Sequence, residues 1–258
     1  MDPLFYDSHI HLVDEHYANF LTQILTSMRE LRIKACSVTM DISTSRRAID
    51  LFRDANRDVV FNFVGIHPEF AQIEEFSEFE DLVAQNRNFI DGIGEIGLDR
   101  SYDTSENYIY SKQVDIFKKM LNIAEEIEKP VSIHSRGTLD EILDFIPSYD
   151  HLVACLHWFD GTEKQLQRSM DMGLYVSYGP LIAYSRNKKK LLGLADRNKI
   201  LIETDGPVRY SGCFKNVTSL PTNMLITILY IMSHELKMTF EESMCLVSTN
   251  SHMFFNGR

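Results

Sequence analysis

Short runs of β-branched and aromatic residues alternate with longer amphipathic stretches from one end of the chain to the other. The strand-like runs are Phe5–Leu12, Lys34–Met40, Val59–Ile66, Ile90–Leu98, Val131–His134, Leu152–Trp158, Leu174–Tyr178 and Ile200–Thr204. Between them lie helical patterns. The clearest runs from Tyr108 to Glu128, where Phe117, Leu121 and Ala124 recur at spacings of three and four and Pro130 stops the helix. Asp41-Ile-Ser43-Thr44 and Ser135-Arg-Gly137-Thr138 offer N-cap chemistry directly after a strand. Strands that alternate with helices throughout imply parallel pairing, because each helix carries the chain back to the starting edge.

Length then narrows the architecture. A chain of 258 residues suits one (β/α)8 barrel, which typically takes about 250. The expected fold is therefore an α/β, (β/α)8 TIM barrel occupying residues 1–258 as one domain, with an open doubly wound sheet as the runner-up. Pro221 to Phe255 is expected to supply the eighth crossover helix and an extra C-terminal helix that closes the barrel base. No Pro/Gly/Ser-rich linker or low-complexity segment divides the chain.

Composition adds exclusions. Hydrophobic residues make up 44% and charged residues 24%, values that argue against disorder, collagen and coiled coil. The longest apolar stretch, Met224 to Met232, is far shorter than the ~18 residues of a membrane span. The segment Met1 to Asp7 lacks a basic region followed by an apolar one, so no export signal is expected. Cys36, Cys155, Cys213 and Cys245 are widely spaced, which fits a reducing, cytoplasmic setting and no thiolate zinc site. With 26 Lys+Arg against 37 Asp+Glu the formal net charge is −11, which opposes tight sequence-independent gripping of duplex DNA but not a small local anion site. No obligate protein partner is evident.

The chemistry-bearing residues fall at the ends of the strand-like runs. His9 and His11, two apart in the first run, share one face and point into the barrel mouth. Glu95 stands among glycines in Gly92-Ile-Gly94-Glu95-Ile-Gly97-Leu-Asp99, where a buried carboxylate needs a cation or hydrogen-bonding partners and the glycines remove bulk around a ligand or metal. His134 ends the fifth run, His157 the sixth and Asp205 the eighth. All six belong to the C-terminal ends of parallel strands, the face where barrel active sites form. Nitrogen and carboxylate donors without sulfur suit Zn, Mn, Mg, Co or Ni and do not choose among them.

In six ordered segments spanning nearly the whole chain, the sequence resembles the TatD-like metal-dependent hydrolases and DNases of the amidohydrolase-type barrels. The segments are Asp7-Ser-His9-Ile-His11-Leu12, Gly65-Ile-His67-Pro68, Gly94-Glu95-Ile-Gly97-Leu98-Asp99, Ile133-His134-Ser135-Arg136, His157-Trp-Phe159-Asp-Gly161 and Glu203-Thr204-Asp205-Gly-Pro207. The resemblance implies two divalent ions, with His9, His11 and Asp205 on one, His134 and His157 on the other, and Glu95 bridging. It also implies phosphodiester hydrolysis, typically trimming of DNA from a 3′ end. Two departures bear on the substrate: Glu69 where relatives often carry a second His, and an unusual loop from Val208 to Lys215.

Charge gives a separate reason to expect an anionic substrate. Glu95 and Asp205 against two divalent ions leave a formal positive excess, which hydroxide and a phosphodiester would cancel. Cations stand in the mouth-side connections: Arg100, Arg136, Arg186, Lys188 to Lys190, Arg209 and Lys215. Arg136, two residues from His134, is expected to hold a phosphate oxygen, whereas most of Lys188 to Lys190 read as an exposed helix start. His67 is a candidate second phosphate contact or proton donor, with an ordinary structural histidine as the alternative. His16, His151, His234 and His252 read as surface or core-edge residues. Trp158, next to a ligand candidate, offers a face on which a base could stack, but by strand alternation it is expected to pack behind the site, and Tyr178, Tyr184, Tyr210 and Phe214 to form a base-stacking rim. Asp7, Glu203 and Asp99 are expected to orient imidazoles.

The expected mechanism is hydrolysis by a two-metal-activated hydroxide, with Asp205 accepting the nucleophile's proton and Arg136, with His67, offsetting transition-state charge. The alternatives are a hydrolase of a small amide, ester or lactone using the same centre, and a non-catalytic barrel that binds a partner.

Overall fold

The computed structural model describes residues 4–54, 56–71, 76–102 and 108–256. Met1 to Pro3, part of the stretch read for an export signal, lie outside the described residues. Eight strands follow one another in parallel: β1 (Phe5–Ile10), β2 (Ile33–Ser37), β3 (Val60–Val64), β4 (Gly92–Asp99), β5 (Val131–Arg136), β6 (Ala154–Leu156), β7 (Tyr175–Tyr178) and β8 (Ile200–Ile202). Each pairs with its neighbour in chain order. The ends of β1 and β8 meet through Asp205 N–H donating to the His9 carbonyl (2.9 Å) and His11 N–H to the Gly206 carbonyl (2.8 Å). The fold is the expected (β/α)8 TIM barrel.

The intervening helices are α1 (Leu21–Glu30), α2 (Ile42–Phe52), α3 (Phe76–Asn86), α4 (Tyr108–Glu126), α5 (Leu139–Phe145), α6 (Glu163–Asp171) and α7 (Arg186–Leu194). They turn an apolar stripe inward; in α1 it is Leu21, Ile24, Leu25 and Met28. Asp41 caps α2 as its sequence foretells, accepting from Thr44 N–H at 2.7 Å. Thr138 does not cap α5: its hydroxyl donates to the Leu98 carbonyl (2.8 Å) and ties the α5 start to the end of β4. After β8 come α8 (Pro221–Leu236) and α9 (Phe240–Asn256). Phe254 and Phe255 of α9 close the base of the barrel, packing with Phe61, Phe63, Tyr175 and Tyr6. No described helix is long and apolar enough to cross a membrane.

Two irregularities in the ladder matter for the mouth. The β4–β5 register shifts between Ile93 and Ile96, around Glu95, and the β1–β2 register shifts between Asp7 and Ile10, around His9. A slipped register re-aims the side chain at the slip, and such defects gather beside active sites. Gly97 has φ +154°, and a Cβ there would lie 2.0 Å from the His134 carbonyl oxygen. Its role is therefore to admit the β5 backbone beside Glu95, rather than to clear space for a ligand as the sequence suggests.

Candidate metal centre

Glu95 is 3% exposed and organises the mouth through its two oxygens. On the Oε2 side, His9 Nε2 and His11 Nε2 both stand 3.4 Å away. Those nitrogens lie 3.7 and 3.5 Å from Asp205 Oδ1. On the Oε1 side, His157 Nε2 is at 2.7 Å and His134 Nδ1 at 2.9 Å, with 3.4 Å between the two nitrogens. His67 Nε2 lies 3.7 Å from the same oxygen. Three sets of donor atoms each fall within 4.8 Å of one another: His9, Glu95 and His157; His9, His11 and Asp205; and His67, Glu95 and His134. All six residues expected in the centre thus converge, with His67 beside them.

The spacing on the Oε2 side suits coordination better than hydrogen bonding, whereas His157 and His134 stand at hydrogen-bond distance from Oε1. Donors about 2.0–2.2 Å from a tetrahedral ion stand roughly 3.3–3.6 Å apart, close to the spacing around His9 and His11. His9 Nε2 is moreover buried without a hydrogen-bond partner, a state that costs about 1–3 kcal/mol unless a ligand relieves it. The donor set is nitrogen and oxygen, so the residues present fit divalent cations of borderline or hard character.

Outer contacts fix the donors. His9 Nδ1 lies 2.9 Å from Ser132 Oγ, a partner legible only as the residue two before His134 on the same strand face. His134 Nε2 is 2.8 Å from Asp99 Oδ2, and Asp99 in turn accepts from Ser101 N–H and Oγ at 2.7 and 2.6 Å. Glu203 Oε1 stands 3.8 Å from His157 Nδ1 and accepts from Trp158 N–H at 2.7 Å, while its other oxygen accepts from Ser177 Oγ at 2.5 Å. Asp7 does not orient an imidazole. It accepts from Thr204 N–H (2.9 Å) and Oγ1 (2.5 Å) and from His9 N–H (3.3 Å), locking β1 to the residue before Asp205.

Without ions the centre shares protons unevenly. Burial alone would raise the Glu95 carboxyl, but His157, His67, His9 and His134 hold it well below the usual carboxylate range. Burial opposes charge on His157, yet Glu95 and Glu203 keep its imidazole well above the usual histidine value. His134, despite burial, is raised by Asp99 and Glu95, and His11 by Asp205 and Glu95. Burial, then the neighbouring His157, lowers His9. Burial lowers His67 to about 4, and its Nδ1 accepts from Glu69 N–H at 3.2 Å. His67 is therefore neutral near pH 7, with its proton on Nε2.

The centre opens into a cavity of about 430 Å³ bordered by His67, Arg136, Trp158, Tyr102 and Met40. Arg136 is exposed and is the only lysine or arginine among the described residues that line it. The other cations expected around the mouth are partly engaged elsewhere: Arg100 with Glu141 (3.1 Å), Lys189 with Glu235 (3.1 Å) and Lys190 with Glu163 (2.5 Å). Lys188 departs from the expected solvated helix start. It is buried, with Nζ donating to the Phe159 carbonyl and 2.8 Å from Asp160 Oδ1.

The aromatic expectations need correction. Trp158 lines the cavity rather than packing behind it, because β6 ends at Leu156 and strand alternation no longer applies. Its φ of +46°, like the +48° of Asp205, is a left-handed conformation that costs about 1–3 kcal/mol in a non-glycine residue and gathers at functional sites. Tyr178 and Tyr210 are each 2% exposed and form no rim; Tyr184, at 39%, remains on the surface.

A family model for TatD related DNases matches residues 6–256. A metal-dependent hydrolase of Methanocaldococcus jannaschii is 26% identical over 259 residues, covering 100% of this chain and 99% of its own. A protein of Salmonella typhimurium named 3′-5′ ssDNA/RNA exonuclease TatD is 28% identical over 216 residues, 78% of each chain. The crystal structure of a TatD homologue from Escherichia coli K12 matches with a TM-score of 0.88 at 18% identity, over 100% of both chains. The chain belongs to the TatD related DNase family and is a metal-dependent hydrolase acting on ester bonds.

Proposed function

We propose that the protein is a deoxyribonuclease that trims single-stranded DNA from its 3′ end with two divalent ions in the barrel mouth. His9, His11 and Asp205 would hold one ion and His134 and His157 the other, with Glu95 placed to serve both. The observation that carries this reading is the division of donors about Glu95, whose Oε2 faces His9 and His11 and whose Oε1 faces His134 and His157. When bound, the ions acidify water and polarise the phosphoryl group.

The chain's own residues supply the rest. Asp205 stands beside His9 and His11 and accepts the proton of the attacking water. Arg136 holds a non-bridging phosphate oxygen by a charge-assisted hydrogen bond. His67, neutral and protonated at Nε2, donates a hydrogen bond to the phosphate, which favours the contact role over that of a proton donor. Glu95 and Asp205, the two carboxylates of the proposed ligand set, against two divalent ions leave a formal excess of two positive charges that a hydroxide and a singly charged phosphodiester together cancel. A neutral amide or lactone leaves that charge unbalanced.

The test is an assay of 5′-labelled single-stranded DNA with Mg, Mn, Co or Zn, run beside a panel of amides, esters and lactones. A ladder shortening from the 3′ end is expected. Turnover of an amide or lactone while DNA stays intact would replace this reading with small-molecule hydrolysis.

A further inference from the structure

The indole of Trp158 borders the cavity yet has no part in the proton and phosphate chemistry. Its backbone turns out of β6 with φ +46°, and its N–H is held by Glu203 Oε1 at 2.7 Å. Its ring stacks on Tyr210, with centroids 5.4 Å apart and planes at 23°. Tyr210 is buried and donates its hydroxyl to the Thr204 carbonyl (3.1 Å), which ties the stack to the residue before Asp205. On the other side, Lys188 binds the Phe159 carbonyl and Asp160, so the turn after Trp158 is fixed as well. An aromatic plane is thus backed by Tyr210, with the turn after it fixed by Lys188, and is left half-buried at the cavity edge. Hydrophobic packing alone would cover it. A rigid, partly open aromatic face beside a phosphodiester site is instead suited to receive another flat ring.

We infer that Trp158 is a nucleobase subsite, on which the base of a nucleotide adjoining the scissile phosphate stacks. The inference rests on the phosphodiesterase reading and deepens it. A base inside a duplex has both faces covered by its neighbours and must leave the stack to reach the indole, so the subsite selects unpaired strands. Stacking needs only a π-face, so discrimination among the four bases is weak.

Trp158 is the only tryptophan in the chain, which makes it its own reporter. In stopped-flow mixing of the metal-loaded protein with a single-stranded oligonucleotide, tryptophan fluorescence is expected to fall before turnover. An oligonucleotide with abasic sites at its two 3′-terminal positions leaves the signal unchanged. In steady state, Trp158→Leu is expected to raise KM for the intact strand about tenfold, with no difference from wild type on the abasic strand. Trp158→Tyr, which keeps an aromatic plane, recovers most of that loss. Unquenched fluorescence during productive cleavage, or an equal KM rise on both strands, overturns the subsite alone. Cleavage of no oligonucleotide overturns the phosphodiesterase reading and the subsite together.

Discussion

At the base of the barrel, Phe255 stacks on Phe61 with ring centroids 4.2 Å apart, and Phe254 packs near Phe63 and Tyr175. At the mouth, space just as deeply buried is filled by His9, His157, Glu95, Asp205 and Glu203. The base gains stability from removing hydrocarbon from water and needs nothing added. The mouth removes charge from water, which is costly unless each charge meets a partner. Glu95 satisfies its histidines only in part, since His9 Nε2 is left without a hydrogen bond. The contrast teaches where the sequence specifies a fold and where it gathers donors for chemistry: one end is consistent by apolar packing alone, and the other leaves a buried polar atom unpaired among its own partners.

Substitution at each end separates the two most sharply. Glu95→Gln is expected to lower metal-dependent hydrolysis by on the order of 10³-fold or more, because on the proposed reading the donor shared between two ions is lost. Far-ultraviolet circular dichroism should stay that of a folded barrel. Phe63→Ala, fully buried at the base, is expected to destabilise the fold by about 3–5 kcal/mol while leaving activity per folded molecule near that of wild type. If Phe63→Ala silences the folded enzyme, or Glu95→Gln keeps most of its activity, the division of labour between the ends fails.

Protons sharpen the same contrast. In the ion-free protein His11, His134 and His157 sit above the usual histidine pKa, so they hold a proton more tightly than a free imidazole does, and a divalent ion must displace it. Binding therefore releases protons, and apparent metal affinity falls as pH falls, about tenfold per unit for each proton released. Calorimetric titration of the wild-type protein with Mn or Zn, in two buffers of different ionisation enthalpy at pH 7, should show a net release. Phe63→Ala should release the same number. A heat of binding independent of buffer would deny that these imidazoles are the donors.

The base and the strand order were legible because they follow from patterns that a single residue cannot overturn. Apolar runs alternate with amphipathic ones, and the aromatic C-terminal segment had only the open barrel end to cover. The donor types at the strand ends were legible too, since a lone Glu95 among glycines and isoleucines asks for a counter-charge. What escaped were facts set by backbone irregularity. The register slips at His9 and Glu95 cannot be read from residue types. The sixth strand was expected to reach Trp158 but ends at Leu156, and the indole faces the cavity for that reason. Asp7 looked like a partner for an imidazole, yet its nearest groups belong to Thr204, which is distant in sequence.

Lys188 is the smallest and most discriminating probe, because it places a buried cation at the mouth without belonging to the centre. Its Nζ lies 2.8 Å from Asp160 Oδ1, but that carboxylate's side chain is 66% exposed, so the pair is only partly shielded from water. Burial lowers the Lys188 pKa, and the hydrogen bond to Asp160 offsets only part of that. A base whose folded pKa is depressed holds fewer protons in the native state than in the unfolded one. Native stability therefore rises as pH climbs through the depressed value toward the ordinary lysine range. Lys188→Met keeps the stem and removes this dependence, while leaving the Phe159 carbonyl without its donor at a cost of about 1–2 kcal/mol. Chemical denaturation at pH 7 and pH 10 should show the gap between wild type and Lys188→Met widening at the higher pH. A gap that stays constant would mean Lys188 is already as well solvated as a surface lysine, and the mouth would then bury charge only where ions bind.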